Sequence, residues 1–404
     1  GKTSLVMKSV ENTPTVYLFV GRKNEATLCA EFIPIIASSL NTFVPEEIRS
    51  FRSLFRFLME LGTQRSFNLV IDEFQEFFNI NESVFSDMQN TWDSYKKKTH
   101  VNLVISGSVY SLMQKIFQNS NEPLFGRSDN IIKLSAFDIA TLKKIMHDYY
   151  PEYSNDDLLA LYTFTGGIPR YIELFCDTGR LDVDRMIDFM VRENSSFTEE
   201  GKNLLIEEFG KNYATYFSIL SAISGGINTQ PKIESALGNK SIGGQLKRLI
   251  EDYGIIVRQR PVFSKEGTQA VRYEIQDNFL RFWFNYFDRH RSLIEIKNFN
   301  GLRKIIKADY PTYSGIILER YFKQKLAESF QFREIGSWWE PKNQQNEIDI
   351  VALKLGKNQA FVAEVKRQQK NFKPDLFTAK VERLKHKALA KYTIEKRFLS
   401  LEDM

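Results

Sequence analysis

Asp72 and Glu73 end an apolar run, Leu69 to Ile71, within the stretch Phe67-Asn-Leu-Val-Ile-Asp-Glu-Phe-Gln-Glu-Phe77. Adjacent carboxylates of this kind can divide the work of phosphoryl transfer. Asp72 would hold a Mg²⁺, directly or through water, and Glu73 would polarise an attacking water. The same pair can also be a strand running into a solvated acidic turn. The opening residues bear on that choice: Gly1-Lys2-Thr3-Ser4-Leu5-Val6 matches the end of the phosphate-binding pattern G-x-x-x-x-G-K-[ST]. In that pattern Gly1 lets the backbone approach the phosphates, Lys2 reaches the β and γ oxygens, and Thr3 gives its hydroxyl to Mg²⁺. The helix that starts there, with Ser4 in its first turn, points its N-terminal amides at the anion. Gly-Lys-Thr is a common tripeptide; a buried strand ending Asp-Glu about 70 residues later makes it much less ordinary. The first glycine of the pattern and the strand before it lie outside the sequence, which reads as lacking an N-terminal segment.

A second constellation lies near the other end. Glu319 sits in Gly315-Ile-Ile-Leu-Glu-Arg-Tyr-Phe322, a helical pattern, and Asp349 in Glu347-Ile-Asp-Ile-Val-Ala-Leu353, a strand pattern. After a turn at Gly356-Lys-Asn, Gln359-Ala-Phe-Val-Ala-Glu-Val-Lys366 reads as a second strand. Glu364 and Lys366, two apart, project from one face of it, and Asp349 on the paired strand is within reach. Carboxylates plus a lysine on one sheet face suit metal-assisted phosphodiester hydrolysis. The acids Glu319, Asp349 and Glu364 would hold Mg²⁺, and Lys366 would orient water or offset charge on the pentavalent intermediate. The plainer alternative is an ion pair on an exposed sheet face.

The elements that position these residues can be read from periodicity. A continuous apolar run bounded by charge, as at 67–72, predicts a strand buried on both faces of a parallel sheet, with ligands at its carboxyl end. Thr15-Val-Tyr-Leu-Phe-Val20 predicts a neighbouring strand, and Asn24 to Leu61 shows helical spacing interrupted by Pro34 and Pro45. Val101-Asn-Leu-Val-Ile-Ser-Gly-Ser108 is a further buried strand whose tip offers Ser106 and Ser108 to the attacking water or the γ-phosphate, unless they simply leave the strand. Pro123-Leu-Phe-Gly-Arg-Ser128 carries Arg127, which could neutralise transition-state charge in its own or a neighbouring subunit. A surface ion pair is the other reading of Arg127. The run Ile131-Ile-Lys-Leu134 predicts one more strand. Residues 138–150 and 155–163 read as helices, and Thr165-Gly-Gly-Ile-Pro-Arg170 breaks one helix and starts the next at Pro169. Arg170 then lies where the helix dipole disfavours a cation, so an anion such as a nucleotide phosphate would explain it.

Residues 213–275 predict three helices and two strands around a Pro/Gly loop, the order of a winged helix. The third helix, Ile242 to Asp252, suits a major groove. Lys247, Arg248, Arg258 and Arg260 would then contact DNA phosphates, although such modules also bind proteins. Asn278-Phe-Leu-Arg-Phe-Trp-Phe-Asn-Tyr-Phe287 is apolar over most of a helical circumference and reads as packing rather than base stacking.

Composition bounds these readings. The chain has 404 residues, 43% hydrophobic and 26% charged, as in ordinary soluble protein. No apolar run approaches a membrane span. Two cysteines without metal spacing and four isolated histidines argue against zinc or a disulfide framework and favour a reducing cytoplasm. Charge is uneven, with 24 basic and 30 acidic residues up to 240 and 31 against 20 beyond, which suggests a polyanionic partner for the second part.

The order Gly-Lys-Thr, Val-Ile-Asp-Glu-Phe-Gln, Ile-Ser-Gly-Ser, Phe-Gly-Arg, Gly-Gly-Ile-Pro-Arg-Tyr resembles the archaeal-type ATPases, relatives of the AAA+ and origin-recognition ATPases. The resemblance covers roughly residues 1–200. It implies that Lys2, Thr3, Asp72 and Glu73 bind and hydrolyse Mg-ATP, that Ser108 senses the γ-phosphate, and that Arg170 is the helical-lid arginine. Asp349 with Glu364-Val-Lys366 and the upstream Glu319 resembles the PD-(D/E)xK restriction-endonuclease-like fold. The unit also resembles the uncharacterised domain that often follows such ATPases. The expected architecture is α/β: a P-loop NTPase core over 1–135, a helical lid over 136–210, a winged helix over 211–275, and a linker helix with a PD-(D/E)xK-like domain over 276–404. The expected function is Mg-ATP hydrolysis coupled to action on DNA, in an assembly that supplies Arg127 to a neighbouring copy. The alternatives are a signalling ATPase with an inactive C-terminal binding module, or a DNA-binding regulator without cleavage.

Overall fold

The computed structural model describes residues 1–210, 213–264, 267, 270–340 and 346–404. The chain divides into two compact units, Gly1–Leu134 and Ser135–Met404.

The first unit is a three-stranded parallel sheet in the order β1 (Thr15–Phe19), β2 (Phe67–Asp72), β3 (Val101–Ile105). β2 is central, and Leu69, Val70 and Ile71 are fully buried, as a strand covered on both faces requires. The helices are α1 (Lys2–Ser9), α2 (Glu25–Leu40), α3 (Phe51–Leu61), α4 (Phe77–Ile80), α5 (Ser83–Tyr95) and α6 (Tyr110–Gln118). α3 begins at Ser50, whose hydroxyl accepts from the Ser53 amide, and it buries Phe51, Leu54, Phe55, Leu58 and Met59 at helical spacing. α2 corrects one expectation: it runs through Pro34 without a break. An interior proline loses a backbone hydrogen bond, and burial of Phe32, Ile33, Ile36 and Leu40 around it offsets that loss.

A second correction concerns Ile131–Leu134, which forms no strand. Ile132 is 78% exposed and Ile131 54%. Among the described residues β3 pairs only with β2, so this run has no ladder to join. An apolar run forms a strand only where a partner accepts its backbone hydrogen bonds.

The second unit opens with helices α7 (Ile139–Tyr149), α8 (Asn155–Thr165), α9 (Pro169–Asp177), α10 (Val183–Met190) and α11 (Ser196–Phe209). α8 is buried nearly all round, and its N-terminus carries a reciprocal cap between Ser154 and Asp157. Next come α12 (Tyr213–Ser224), α13 (Gln230–Ala236), α14 (Gly243–Glu251) and the antiparallel pair β4 (Ile256–Gln259) and β5 (Arg272–Ile275). Part of the loop joining these strands, residues 265–266 and 268–269, lies outside the described residues. Its near end turns inward: the Val262 amide donates to the Ser337 carbonyl at 3.0 Å, and Val262 packs with Trp338, Ile348 and Val351.

α15 (Asn278–Trp283) continues as a π-helical turn to Asp288, then come α16 (Arg291–Glu295) and the 30-residue α17 (Phe299–Glu328). Phe279, Phe282, Trp283 and Phe284 are buried in the unit's main core, so the aromatic run serves packing, as its density suggests. The closing sheet has the order β6 (Phe332–Trp338), β7 (Ile348–Lys354), β8 (Gln359–Val365), β9 (Thr393–Leu399). β6, β7 and β8 are antiparallel neighbours, whereas β9 runs parallel to β8 through the crossover helix α18 (Pro374–Leu384).

Candidate functional site

Asp72 is the last residue of β2 and only 3% exposed. Four neutral donors converge on its carboxylate. Thr3 Oγ1 lies 3.0 Å from Oδ2, the Tyr17 hydroxyl 2.7 Å from the same oxygen, the Glu73 amide 3.0 Å from Oδ1, and Ser106 Oγ also bonds Oδ1. Burial raises the cost of its charge. The hydrogen bonds from Ser106, Tyr17, Thr3 and the Glu73 amide outweigh that, and hold the carboxyl below the usual carboxylate range. Tyr17 answers in kind: burial and the Asp72 charge push its phenol up to about 12.

The chain turns sharply after Asp72. Glu73 takes a left-handed backbone conformation at φ 55°, uncommon for a side chain of this type. The turn is braced against β3, with the Phe74 amide donating to the Ser106 carbonyl at 3.0 Å. It aims the Glu73 carboxylate at the tip of β3, where Ser108 Oγ and Gln75 Nε2 each donate to Oε2 at 2.6 Å. Thr3, Asp72, Glu73, Ser106 and Ser108 are therefore brought together. Gly1 caps α1, and Lys2 and Ser4 lie in its first turn.

Two arginines find partners within their own unit. Arg127 is held by Asp93, with Nε at 3.2 Å and Nη2 at 2.9 Å, and Nη1 donates to the Phe125 carbonyl. That is the ion pair offered as its alternative reading. Arg170 lies 3.1 Å from Glu200, a carboxylate that also accepts from Tyr171. Glu200 therefore supplies an anion for this cation near the start of α9.

The second constellation assembles where β7, β8 and α17 meet. The Lys366 ammonium bridges Asp349 at 3.3 Å and Glu364 at 3.1 Å, and the Val365 amide donates to Asp349 at 2.8 Å. Lys380 of α18 lies 3.3 Å from both oxygens of Glu364. Glu319 approaches from α17, 4.0 Å from Lys323. Burial and the Asp349 charge push Glu319 up to about 8. Burial pulls the Lys366 ammonium down, but Asp349 and Glu364 more than restore it, so the lysine stays charged. Glu319 and Lys366 line a cleft of about 470 Å³ that also includes Thr312, Arg367 and Asn371. Hard oxygen donors suit a divalent cation. Even so, among the described residues no group of three or more acidic, histidine or cysteine side chains is set to hold one. Glu319, Asp349 and Glu364, the residues expected to hold a metal, each lie within 4.0 Å of a lysine ammonium.

Arg367 ties this corner to α8. Its guanidinium forms a two-pronged pair with Asp156, at 2.9 and 2.8 Å, and also bonds Ser314 of α17. The basic residues of the helix–helix–helix–hairpin segment lie apart from these sites in the sequence. Lys247 and Arg248 are on the exposed side of α14, opposite buried Leu246 and Leu249, and Lys247 lies 3.6 Å from Glu251. Arg258 is exposed on β4 and Arg260 half-buried just beyond it.

Tyr17 is a contact that motif reading passes over, and Gln75, the last residue of Val-Ile-Asp-Glu-Phe-Gln, is given no role by it. Tyr17 could have been found by register. It pairs with Val70, two residues before Asp72, so a long side chain on that face reaches the carboxylate. Gln75 carries no signal in spacing, because a tight turn rather than a regular element aims it.

Residues 1–175 match an ATPase domain predominantly from Archaea, and residues 283–378 match a domain described as archaea bacterial proteins of unknown function. The uncharacterized protein MJECL04 of Methanocaldococcus jannaschii is 30% identical over 377 residues, covering 91% of this chain and 80% of its own. Among solved structures, the Walker-type ATPase paby2304 of Pyrococcus abyssi superposes with a TM-score of 0.53 at 19% identity, over 70% of this chain and 87% of its own. At that identity the likeness is one of fold. Cdc6p from Pyrobaculum aerophilum covers 75% and 83% at 17% identity, with a TM-score of 0.31 that carries no argument. No helix among the described residues is long and apolar enough to cross a membrane. The chain belongs to the archaeal-type ATPase family, with the ATPase domain at its N-terminal end and the domain of unknown function toward its C-terminal end.

Proposed function

We propose that the chain binds and hydrolyses Mg-ATP through Lys2, Thr3, Asp72 and Glu73 and uses the cycle to act on DNA. The observation that carries the ATPase half is the 3.0 Å approach of the Thr3 hydroxyl to Asp72. A hydroxyl and a depressed carboxylate, both hard oxygens, are the donor set Mg²⁺ prefers. Thr3 and Asp72 would hold the ion, which offsets charge on the β- and γ-phosphates. Gly1 and Ser4 border the phosphates, Lys2 neutralises them, Glu73 takes a proton from water, and Ser108 senses the γ-phosphate. Arg170 would serve as the lid arginine and Arg127 as a charge donor to a neighbouring copy, each leaving its carboxylate partner to do so.

For the second half, three helices and a hairpin over 213–275 support a winged-helix reading, with Lys247, Arg248, Arg258 and Arg260 on DNA phosphate. Asp349 and Glu364, ion-paired to Lys366 beside the cleft that Lys366 and Glu319 line, support a nuclease-like centre. A specific observation favours a second reading: Lys366 and Lys380 already neutralise Glu364. That is what a catalytically silent binding module would retain.

The deciding experiment is cleavage of supercoiled, linear and branched DNA by the protein with Mg²⁺ or Mn²⁺, with and without ATP, beside Asp349→Ala. Cleavage lost in Asp349→Ala, with ATP hydrolysis intact, is the expected result. Normal ATP hydrolysis without cleavage of any substrate supports the regulatory ATPase instead.

A further inference from the structure

Gln75 is 1% exposed, which is unusual for a glutamine three residues beyond a strand end. Its side-chain nitrogen lies 2.6 Å from Glu73 Oε2 and 3.3 Å from Ser108 Oγ. A carboxylate accepts and does not donate, so the amide must turn its nitrogen to Glu73 and its oxygen away. That oxygen is buried and has no hydrogen-bond partner. An orphaned acceptor in the interior weakens a fold, so the arrangement is held against its own cost. The space is reserved from the far side as well. A Cβ on Gly107 would stand 2.2 Å from Gln75 Oε1 and 2.5 Å from Met113 Sδ.

We propose that Gln75 is the positioning residue of the Glu73 carboxylate, with its amide fixing that carboxylate in the orientation from which it addresses the attacking water. The inference rests on the reading of Glu73 as the group that polarises water. Two donors share Glu73 Oε2, but they differ in freedom. Ser108 is exposed at the tip of β3, and its hydroxyl has a competing acceptor once a γ-phosphate arrives. Gln75 is enclosed and has no such competitor. It therefore keeps Oε2 engaged when Ser108 turns away, and leaves Oε1 to take the hydrogen of water. Displacing a reacting group by even 1 Å can cost about 100-fold in rate.

The test compares Gln75→Met with wild type in the full chain. Methionine keeps the length and removes the donor and the orphaned acceptor. The expected result is a kcat for ATP hydrolysis lower by about 10- to 100-fold. KM and the affinity for a non-hydrolysable ATP analogue should stay within about twofold, and the thermal midpoint should hold or rise. Gly107→Ala pushes the amide from behind and should lower kcat in the same way. Flexible ends of Gln75 and Met113 can yield to the added methyl, so this variant tests the proposal even if Gln75→Met fails to fold. The double variant should lose little beyond either single change, because both act through one contact. Unchanged kcat in both single variants overturns the proposal, as does a parallel loss of kcat and affinity. Hydrolysis that survives Glu73→Gln overturns the reading of Glu73 itself. Hydrolysis lost in Glu73→Gln but kept in Gln75→Met overturns the Gln75 role alone.

Discussion

The two acidic sites are held by opposite means. The donors to the Asp72 and Glu73 carboxylates are neutral: hydroxyls of Thr3, Tyr17, Ser106 and Ser108, the Gln75 amide, and a backbone N–H. Such donors fix a carboxylate and leave its charge intact. Asp349 and Glu364 are instead bridged by the Lys366 ammonium, with Lys380 on Glu364 as a second cation. Ammonium groups fix a carboxylate by cancelling it. The first site thus presents net negative charge at the carboxyl end of a parallel strand, where an incoming cation is attracted. The second is close to electrically satisfied, and a cation entering it must displace a lysine. Carboxylates of the same type, each at or beside a strand end, can therefore be a metal-ready site or a self-neutralised one, according to which donors surround them.

The largest effect expected from this contrast is at the first site. Asp72→Asn keeps the shape and the hydroxyl partners but removes the charge. ATP hydrolysis at millimolar Mg²⁺ should fall by about 10²-fold or more. The Mg²⁺ concentration for half-maximal nucleotide binding should rise, while metal-free nucleotide affinity stays near wild type. Equal Mg²⁺ dependence in variant and wild type would show that the neutral donors around Asp72 serve packing rather than the cation.

What could be read from sequence follows the same division. Asp72, Thr3 and Ser108 were legible because each sits at a fixed offset from a buried strand or a helix start, and regular elements carry their ends to one edge of a parallel sheet. Asp349, Glu364 and Lys366 were legible because hairpin pairing and period-two alternation put them on one face. The partners that decide the character of each site were not. Lys380 reads as one basic position on the helix that follows Lys366, but its reach to Glu364 depends on how that helix docks, and Gln75 is aimed by a left-handed turn at Glu73. Ile131–Leu134 misled for a related reason: apolar composition signals burial but cannot supply a neighbouring strand. Pro34 misled because a proline's local cost is set against burial of Phe32 and Ile36, which only the fold reveals.

A smaller effect is expected at Arg367, which anchors the segment just after Lys366 to α8 and α17. Its guanidinium is largely enclosed, with 15% of the side chain exposed against 34% for Asp156, and it lies over the Tyr310 ring at 5.3 Å. Arg367→Ala removes the donor to Ser314 and leaves Asp156 with the Tyr310 hydroxyl in place of a two-pronged cation. The loss should be about 2–3 kcal/mol of unfolding free energy in chemical denaturation. If the anchor also sets the lysine bridge, Arg367→Lys, which keeps a cation but loses the planar fork, should recover only part of it. Full recovery would mean that charge alone holds this corner, and that the second site tolerates a looser lysine than the geometry implies.

The smallest effect bears most directly on the contrast. Lys380→Ala removes one of the two cations on Glu364 and leaves Lys366 in place, which moves the second site toward the character of the first. A unit charge about 4 Å away is worth about 1 kcal/mol in bulk water and more where solvent is partly excluded, or at least about fivefold in an equilibrium constant. Mn²⁺ titration by calorimetry, with the ATPase site silenced by Asp72→Asn in both proteins, should therefore show at least about fivefold tighter binding in Lys380→Ala. Stability should change little, because Lys366 still pairs with the largely buried Glu364 when Lys380 is removed. Tighter Mn²⁺ binding would mean that the lysines regulate a cation site rather than replace it. Absence of binding in both proteins would mean that Lys366 and Lys380 are the permanent occupants of those carboxylates, and the chemistry of this chain would then rest on Asp72 and Glu73 alone.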